Sequence, residues 1–246
     1  MAGSLGILRV ARFGIRLGSA PAAHRARVQH AWRWRRAGCA VAASLVVASA
    51  WPQASTNPSL NAQLLVAARN SDVAAVERAL AQGAAPNSRN RLGKTALLLA
   101  CEKGDATLAA ALQRAGADVN LASLEGVTPL MACSYGGHAA ITRDLLRAGA
   151  RTEPLDRMHK TALVYAAAQG HAAVVAQLLD AGVAIDAIGE HQLTPLMWAA
   201  GQGQADVVKL LLQRGARTDL RDDRGLSALD IARQQSHADV AQLLAR

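Results

Sequence analysis

The side chains in this sequence best suited to chemistry are seven histidines and three cysteines. His138, His171 and His237 fall on one grid of 33-residue steps. Imidazole is the commonest metal ligand, and a zinc ion needs its ligands within about 2.0–2.1 Å. Equivalent points on stacked helix pairs stand about 10 Å apart, so these three cannot share an ion. They are read instead as loop histidines bonded to neighbouring backbone. His159 and His191 lie in successive loops without Cys or carboxylate company in a fixed pattern. There is no Gly-x-Ser-x-Gly elbow, phosphate-binding loop or His-Glu-x-x-His pair. Gly201-Gln202-Gly203 is a helix-ending turn, and no acid pair recurs beside a base. No catalytic residue, metal or cofactor is expected, and the chain reads as non-enzymatic. Cys101 and Cys133 fall one position apart in the grid. In an oxidising compartment they could form a disulfide, although helix spacing exceeds the Cα separation a disulfide prefers. The alternative is a pair of small core residues.

The charge is unevenly placed. The net +9 suggests an acidic partner, but residues 1–50 hold eight arginines and no acid, which leaves residues 51–246 at +1. On the later loops, Arg89, Arg91 and Lys94, then Arg157 and Lys160, are interrupted by Glu125 and Glu190. Nucleic acid requires a basic stripe or stacked aromatics, and no nucleic-acid partner is expected.

After Arg36, an uncharged run extends from Ala37 to Ala50. As a helix it would be about 21 Å long, against a hydrocarbon core of about 30 Å. A basic lead, a short apolar run, and Ala48-Ser49-Ala50 before Trp51 form the layout of a cleaved secretory signal. Arg35-Arg36 lacks the flanks of a twin-arginine signal. Cys39 sits too early in the apolar run for lipidation. Residues 1–50 are therefore expected to be a signal peptide cut near Ala50, with 51–59 a Pro/Ser/Asn-rich linker. The Ala/Arg-rich composition suggests a bacterial source, hence a periplasmic or secreted protein that meets the membrane only through its signal. A cytosolic regulator or host-directed effector with residues 1–50 as a targeting tail, and a membrane-tethered adaptor with that segment uncleaved, are the alternatives.

The elements that carry these residues come from a repeat. Thr95, Thr128, Thr161, Thr194 and Ser227 are spaced 33 residues apart, and "TALLLACEKGD", "TPLMACSYGGH", "TALVYAAAQGH", "TPLMWAAGQGQ" and "SALDIARQQSH" align without a gap. The hydroxyl residue starts a helix by accepting from a free backbone N–H, and Pro129 and Pro195 suit the first turn. Small residues follow (Ala100, Cys133, Ala166, Ala199, Ala232), and a glycine then ends the helix. The second helix repeats Leu108, Ile141, Val174, Val207 and Val240, with leucines four residues on. Six units are expected: a divergent first at 60–94, then 95–127, 128–160, 161–193, 194–226, and a polar-faced last at 227–246, as a solenoid's end requires.

"TPLMWAAGQGQADVVKLLLQRGA" and its siblings resemble the ankyrin repeat family over residues 60–246. The resemblance implies an all-α repeat solenoid of stacked helix pairs with projecting β-hairpin-like loops. It also implies a non-catalytic protein that binds a partner protein through loop tips and the concave inner-helix face. Two departures stand out. The family's first-helix His is replaced by Leu98, Met131, Val164 and Met197. The loop glycine is replaced by His159 and Gln192, for which altered hairpins are expected.

Positions that vary within the frame and point outward are the binding candidates. On the inner helices these are Trp198, Tyr165, Tyr135 and Lys103, with the three aromatics expected to form one patch. The loop tips add Arg91, Leu92, Lys94, Leu124, Glu125, Met158, Lys160, Glu190, His191 and Arg224. Packing between repeats is the other reading for the aromatics. The chain is expected to be a monomer.

Overall fold

The computed structural model describes residues 57–245. Residues 1–56, which include the expected signal segment, Cys39 and three of the four tryptophans, and Arg246 lie outside the described part. Twelve helices follow as six pairs: α1 (Pro58–Arg69) and α2 (Val73–Ala81), α3 (Ala96–Lys103) and α4 (Ala106–Arg114), α5 (Pro129–Gly136) and α6 (Ala139–Arg147), α7 (Ala162–Gln169) and α8 (Ala172–Asp180), α9 (Pro195–Gly201) and α10 (Ala205–Gln213), α11 (Ala228–Gln234) and α12 (Ala238–Leu244). Among the described residues, β pairing is limited to an isolated antiparallel bridge between Arg89 and Thr95. The expected all-α repeat solenoid is therefore the fold. The first helix starts earlier than the repeat frame suggests. Asn57 caps it by accepting from the Ser59 N–H, and Pro58 takes the first helical position. The last two residues read as linker thus belong to α1.

The repeated hydroxyls do what their spacing implies. Thr95, Thr128, Thr161, Thr194 and Ser227 each accept from the backbone N–H three residues on. Each such cap is worth about 1 kcal/mol. The odd-numbered helices form the inner row and stack on one another more closely than the outer row does. The reason is the run of fully buried small residues, Ala100, Cys133, Ala166, Ala199 and Ala232. Leu98, Met131, Val164 and Met197, which stand in the family's histidine position, are core residues. Leu244, at the end of α12, is only half-buried.

The residues that precede the outer helices α8, α10 and α12 latch their units to the preceding one. His171 Nε2 lies 2.9 Å from the Tyr135 carbonyl, and His237 Nε2 lies 3.2 Å from that of Gly201. A carbonyl only accepts, so each ring donates from Nε2. Gln204 donates to the Ala168 carbonyl from the same position. Gly104 shows why glycine recurs here: its φ is +72°, and a Cβ would come 2.3 Å from the His138 ring. The histidines are inter-repeat struts.

The loops are pinned by a residue five before each cap. Asn90, Asp156 and Asp222 each accept two backbone N–H bonds within their own loop, and Ser123 accepts one. Neighbouring loops are joined by backbone bonds from Leu124 to Leu92, Arg157 to Glu125 and Asp223 to His191. The two loops lacking the usual glycine behave differently. His159 adopts the left-handed conformation itself, at φ +51°, and its N–H still donates to Asp156. That hairpin is not altered, contrary to expectation. The next loop is, because Gly189 offers no anchoring side chain. A 3₁₀ turn over Glu190–Gln192 forms, with His191 and Gln192 both at positive φ.

Candidate functional site

The inner helices α5, α7 and α9 present Tyr135, Tyr165 and Trp198 along one face. Tyr135 is 55% exposed, while Tyr165 and Trp198 are half-buried. The two tyrosine rings meet edge to face, with centroids 5.8 Å apart and planes at 83°, a favoured aromatic geometry. Trp198 joins them through a cation. The Lys160 ammonium lies 4.4 Å from the Trp198 ring centroid and 5.7 Å from that of Tyr165. The four side chains form a continuous strip across three units.

A buried carboxylate positions the strip. Asp156 is 7% exposed. Its Oδ1 accepts from the Met158 and Lys160 N–H groups, at 2.9 and 2.8 Å, and its Oδ2 accepts from the Tyr165 hydroxyl. One side chain therefore fixes the backbone that bears Lys160 and the ring beside it. Burial, then the hydrogen bond to Asp156 and its negative charge, raises the Tyr165 pKa well above the ordinary phenol value, so Tyr165 is a neutral donor. Beside the tyrosines lies a groove of about 360 Å³ lined by Glu102, Val127, Met131, Ala132, Tyr135 and Tyr165. Trp198 borders a smaller one, about 200 Å³, with Met197, Arg224, Ile231 and others.

The sequence model described as "Ankyrin repeats (3 copies)" matches residues 64–153, 105–189 and 163–246. The chain belongs to the ankyrin repeat family. No curated protein matches it significantly. In ankyrin-repeat terms, the aromatic strip lies on the inner-helix face next to the loops.

The other candidates are distributed along this ankyrin stack in different states. Leu92, Leu124 and Met158 stand 59%, 72% and 57% exposed at the loop tips, and Arg91 is exposed. Lys94 is paired with Glu102 at 2.6 Å, and Glu125 with Arg157 at 3.4 Å. Lys103 donates to Ser71 of the preceding unit. His191 Nδ1 is 2.7 Å from Asp223, and its Nε2 lies 3.8 Å from Glu190. Arg224 folds back onto Asp222, whose carboxyl is buried. Burial pushes the Asp222 pKa up, but hydrogen bonds from Leu226 and Arg224 outweigh it and leave the group below the usual carboxylate range. Arg224 therefore braces its own loop.

The disulfide is not formed. Cys101 and Cys133 are fully buried free thiols. Burial pushes the Cys101 thiol well up, and the adjacent Cys133 thiol adds to this, so Cys101 is an unreactive core thiol. Among the described residues no group of three or more His, Cys, Asp or Glu is placed to hold a metal ion.

Asp156 and Asp222 were missed as organising residues, although an Asx or Ser five before the cap was visible at Asn90, Ser123, Asp156 and Asp222. Leu155 and Ile188, 50% and 64% exposed on the loop arms, carried no such signal because the same position holds Arg89, Ala122 and Arg221 in other units.

Proposed function

We propose that this ankyrin-repeat chain is a non-catalytic scaffold that binds a partner protein through its loop tips and inner-helix face, and that it does so after export to the periplasm or cell exterior. The binding reading rests on the Tyr135–Tyr165–Lys160–Trp198 strip. Aromatic rings concentrated on one accessible face are the usual anchors of an interface, and this chain is only 3% aromatic. The exposed Leu92, Leu124 and Met158 beside it gain if a partner covers them. The stack is held by buried caps and inter-repeat struts, so recognition by a preformed surface carries little ordering cost.

Export rests on the sequence of residues 1–50 alone. Among the described residues no helix is long and apolar enough to cross a membrane. Two experiments test the proposal. Partner recovery from the native compartment is compared between the parent chain and a Trp198→Ala/Tyr165→Ala variant of equal helicity; unchanged recovery sinks the strip as the binding face. N-terminal sequencing of the purified protein should start near Trp51, and an intact Met1 defeats export in favour of a cytosolic scaffold.

A further inference from the structure

The repeat lets one unit serve as the reference for another. Lys94 and Lys160 hold the same position, directly before the capping threonine. Lys94 has its carboxylate in place, with Glu102 on the following helix at 2.6 Å. On the helix that follows Lys160, the residue equivalent to Glu102 is Ala168. The nearest acid in sequence, Asp156, is committed to two backbone N–H groups and the Tyr165 hydroxyl. Among the described residues, no carboxylate lies within 4.0 Å of the Lys160 ammonium, and the group rests on the Trp198 and Tyr165 rings instead. A ring face holds a cation in place without neutralising it. Part-burial against aromatic walls also strengthens any ion pair made there over one in open water.

The Tyr165 ring is shared with the apolar groove. Val127, Met131, Ala132 and the two tyrosine rings line it, and Glu102 at its rim is already paired with Lys94. We infer that this strip is a two-point receptor for an extended acidic–apolar segment of the partner protein, with a carboxylate of the segment pairing with Lys160 and a bulky apolar side chain filling the Tyr135–Tyr165 groove. The ammonium stands 5.7 Å from the Tyr165 ring centroid, and that ring stands 5.8 Å from the Tyr135 ring, so the path along the strip is at most the two together. About three residues of extended chain span that, at roughly 3.3 Å each. The acid and the apolar residue of the ligand are therefore two to four positions apart. The inference rests on the interaction face proposed above and names what that face selects.

The test is a phage-displayed random dodecapeptide library selected on the immobilised full chain, followed by fluorescence polarisation with a synthetic peptide of the recovered consensus. The consensus should place Asp or Glu two to four residues from Leu, Ile, Phe or Met. Lys160→Gln should weaken the peptide at least tenfold, Lys160→Arg should restore most of the loss, and Lys209→Gln, on the outer helix α10 where the lysine pairs with Asp206, should leave affinity within twofold. Replacing the peptide's acid with its amide should match the Lys160→Gln loss on the unmutated protein, which frees the outcome from any folding defect. Tyr135→Ala, at an exposed position, should weaken the apolar half of the contact. A consensus without an acid, an acidic peptide indifferent to Lys160→Gln, or displacement by a random single-stranded oligonucleotide overturns the inference. If the peptide result fails while Trp198→Ala/Tyr165→Ala still loses the native partner, the interaction face stands and its acidic–apolar selectivity falls. If native recovery survives that double change, the face itself is wrong.

Discussion

Lys160 and Trp198 belong to different repeat units, and the ammonium of one stands 4.4 Å from the ring centroid of the other. The contact joins the loop before α7 to helix α9 directly, so it links two units as well as shaping the surface. A double-mutant cycle with Lys160→Met and Trp198→Leu in urea unfolding should give a coupling of about 0.5–1 kcal/mol. A coupling near zero would make the stacking incidental to stability.

The Asp156–Tyr165 bond should be felt in two ways. Tyr165→Phe keeps the ring and removes one hydrogen bond, for a loss of about 1 kcal/mol. Asp156→Ala should cost more, since two loop N–H groups lose their acceptor as well.

The same bond gives an alkaline signature. Burial, and then Asp156, raise the Tyr165 pKa, so the folded state holds this proton more tightly than the unfolded chain, where tyrosine titrates near 10. The contribution is whole below about pH 10 and is lost as pH climbs beyond it. Thermal melts between pH 8 and 11 should show a smaller alkaline decline for Tyr165→Phe than for the parent, and identical declines would refute this assignment.

His138 should make the stack sensitive to acid. Burial, then the positive charge of His171, lower its pKa, against an opposing contribution from the Glu102 backbone. The unfolded chain therefore takes up a proton near pH 6.5 that the folded state refuses. Stability is whole above that pH and falls as acidification proceeds toward the lowered value. His138→Gln, the residue that Gln204 supplies at the same position, should flatten the difference between urea midpoints at pH 7.5 and 5.5.

Thr142, on α6, is fully buried, and its hydroxyl has no hydrogen-bond partner among the described residues. The equivalent positions of the next two units hold buried valines, Val175 and Val208. Thr142→Val removes a desolvated hydroxyl while keeping the shape, and should stabilise the protein by about 1 kcal/mol. A lower urea midpoint would show that the hydroxyl is satisfied in solution.

Much of this protein is legible in its amino-acid sequence. The caps at Thr95, Thr128, Thr161, Thr194 and Ser227 and the small residues of the inner row follow from spacing within single helices. The histidines were legible as backbone-bonding residues, but their partners, carbonyls of the preceding unit, were not. The loops were read least well. A missing glycine looked equally disruptive at His159 and Gln192. The outcome instead turned on the anchor, a buried carboxylate at Asp156 against no side chain at Gly189.

What the amino-acid sequence determined by itself is the periodic part: a 33-residue register, helix starts and stops, and the apolar positions that must stack. These depend on local dihedral preferences and on burial patterns that any neighbouring copy satisfies equally. What the tertiary structure decided is where the non-repeating side chains went. Lys94 and Lys160 share a position and a residue type, yet one pairs with Glu102 and the other lies on Trp198. That choice is made across units, by which acid or ring the adjacent helix brings within a few ångströms, and such short-range contacts exist only once the stack has formed.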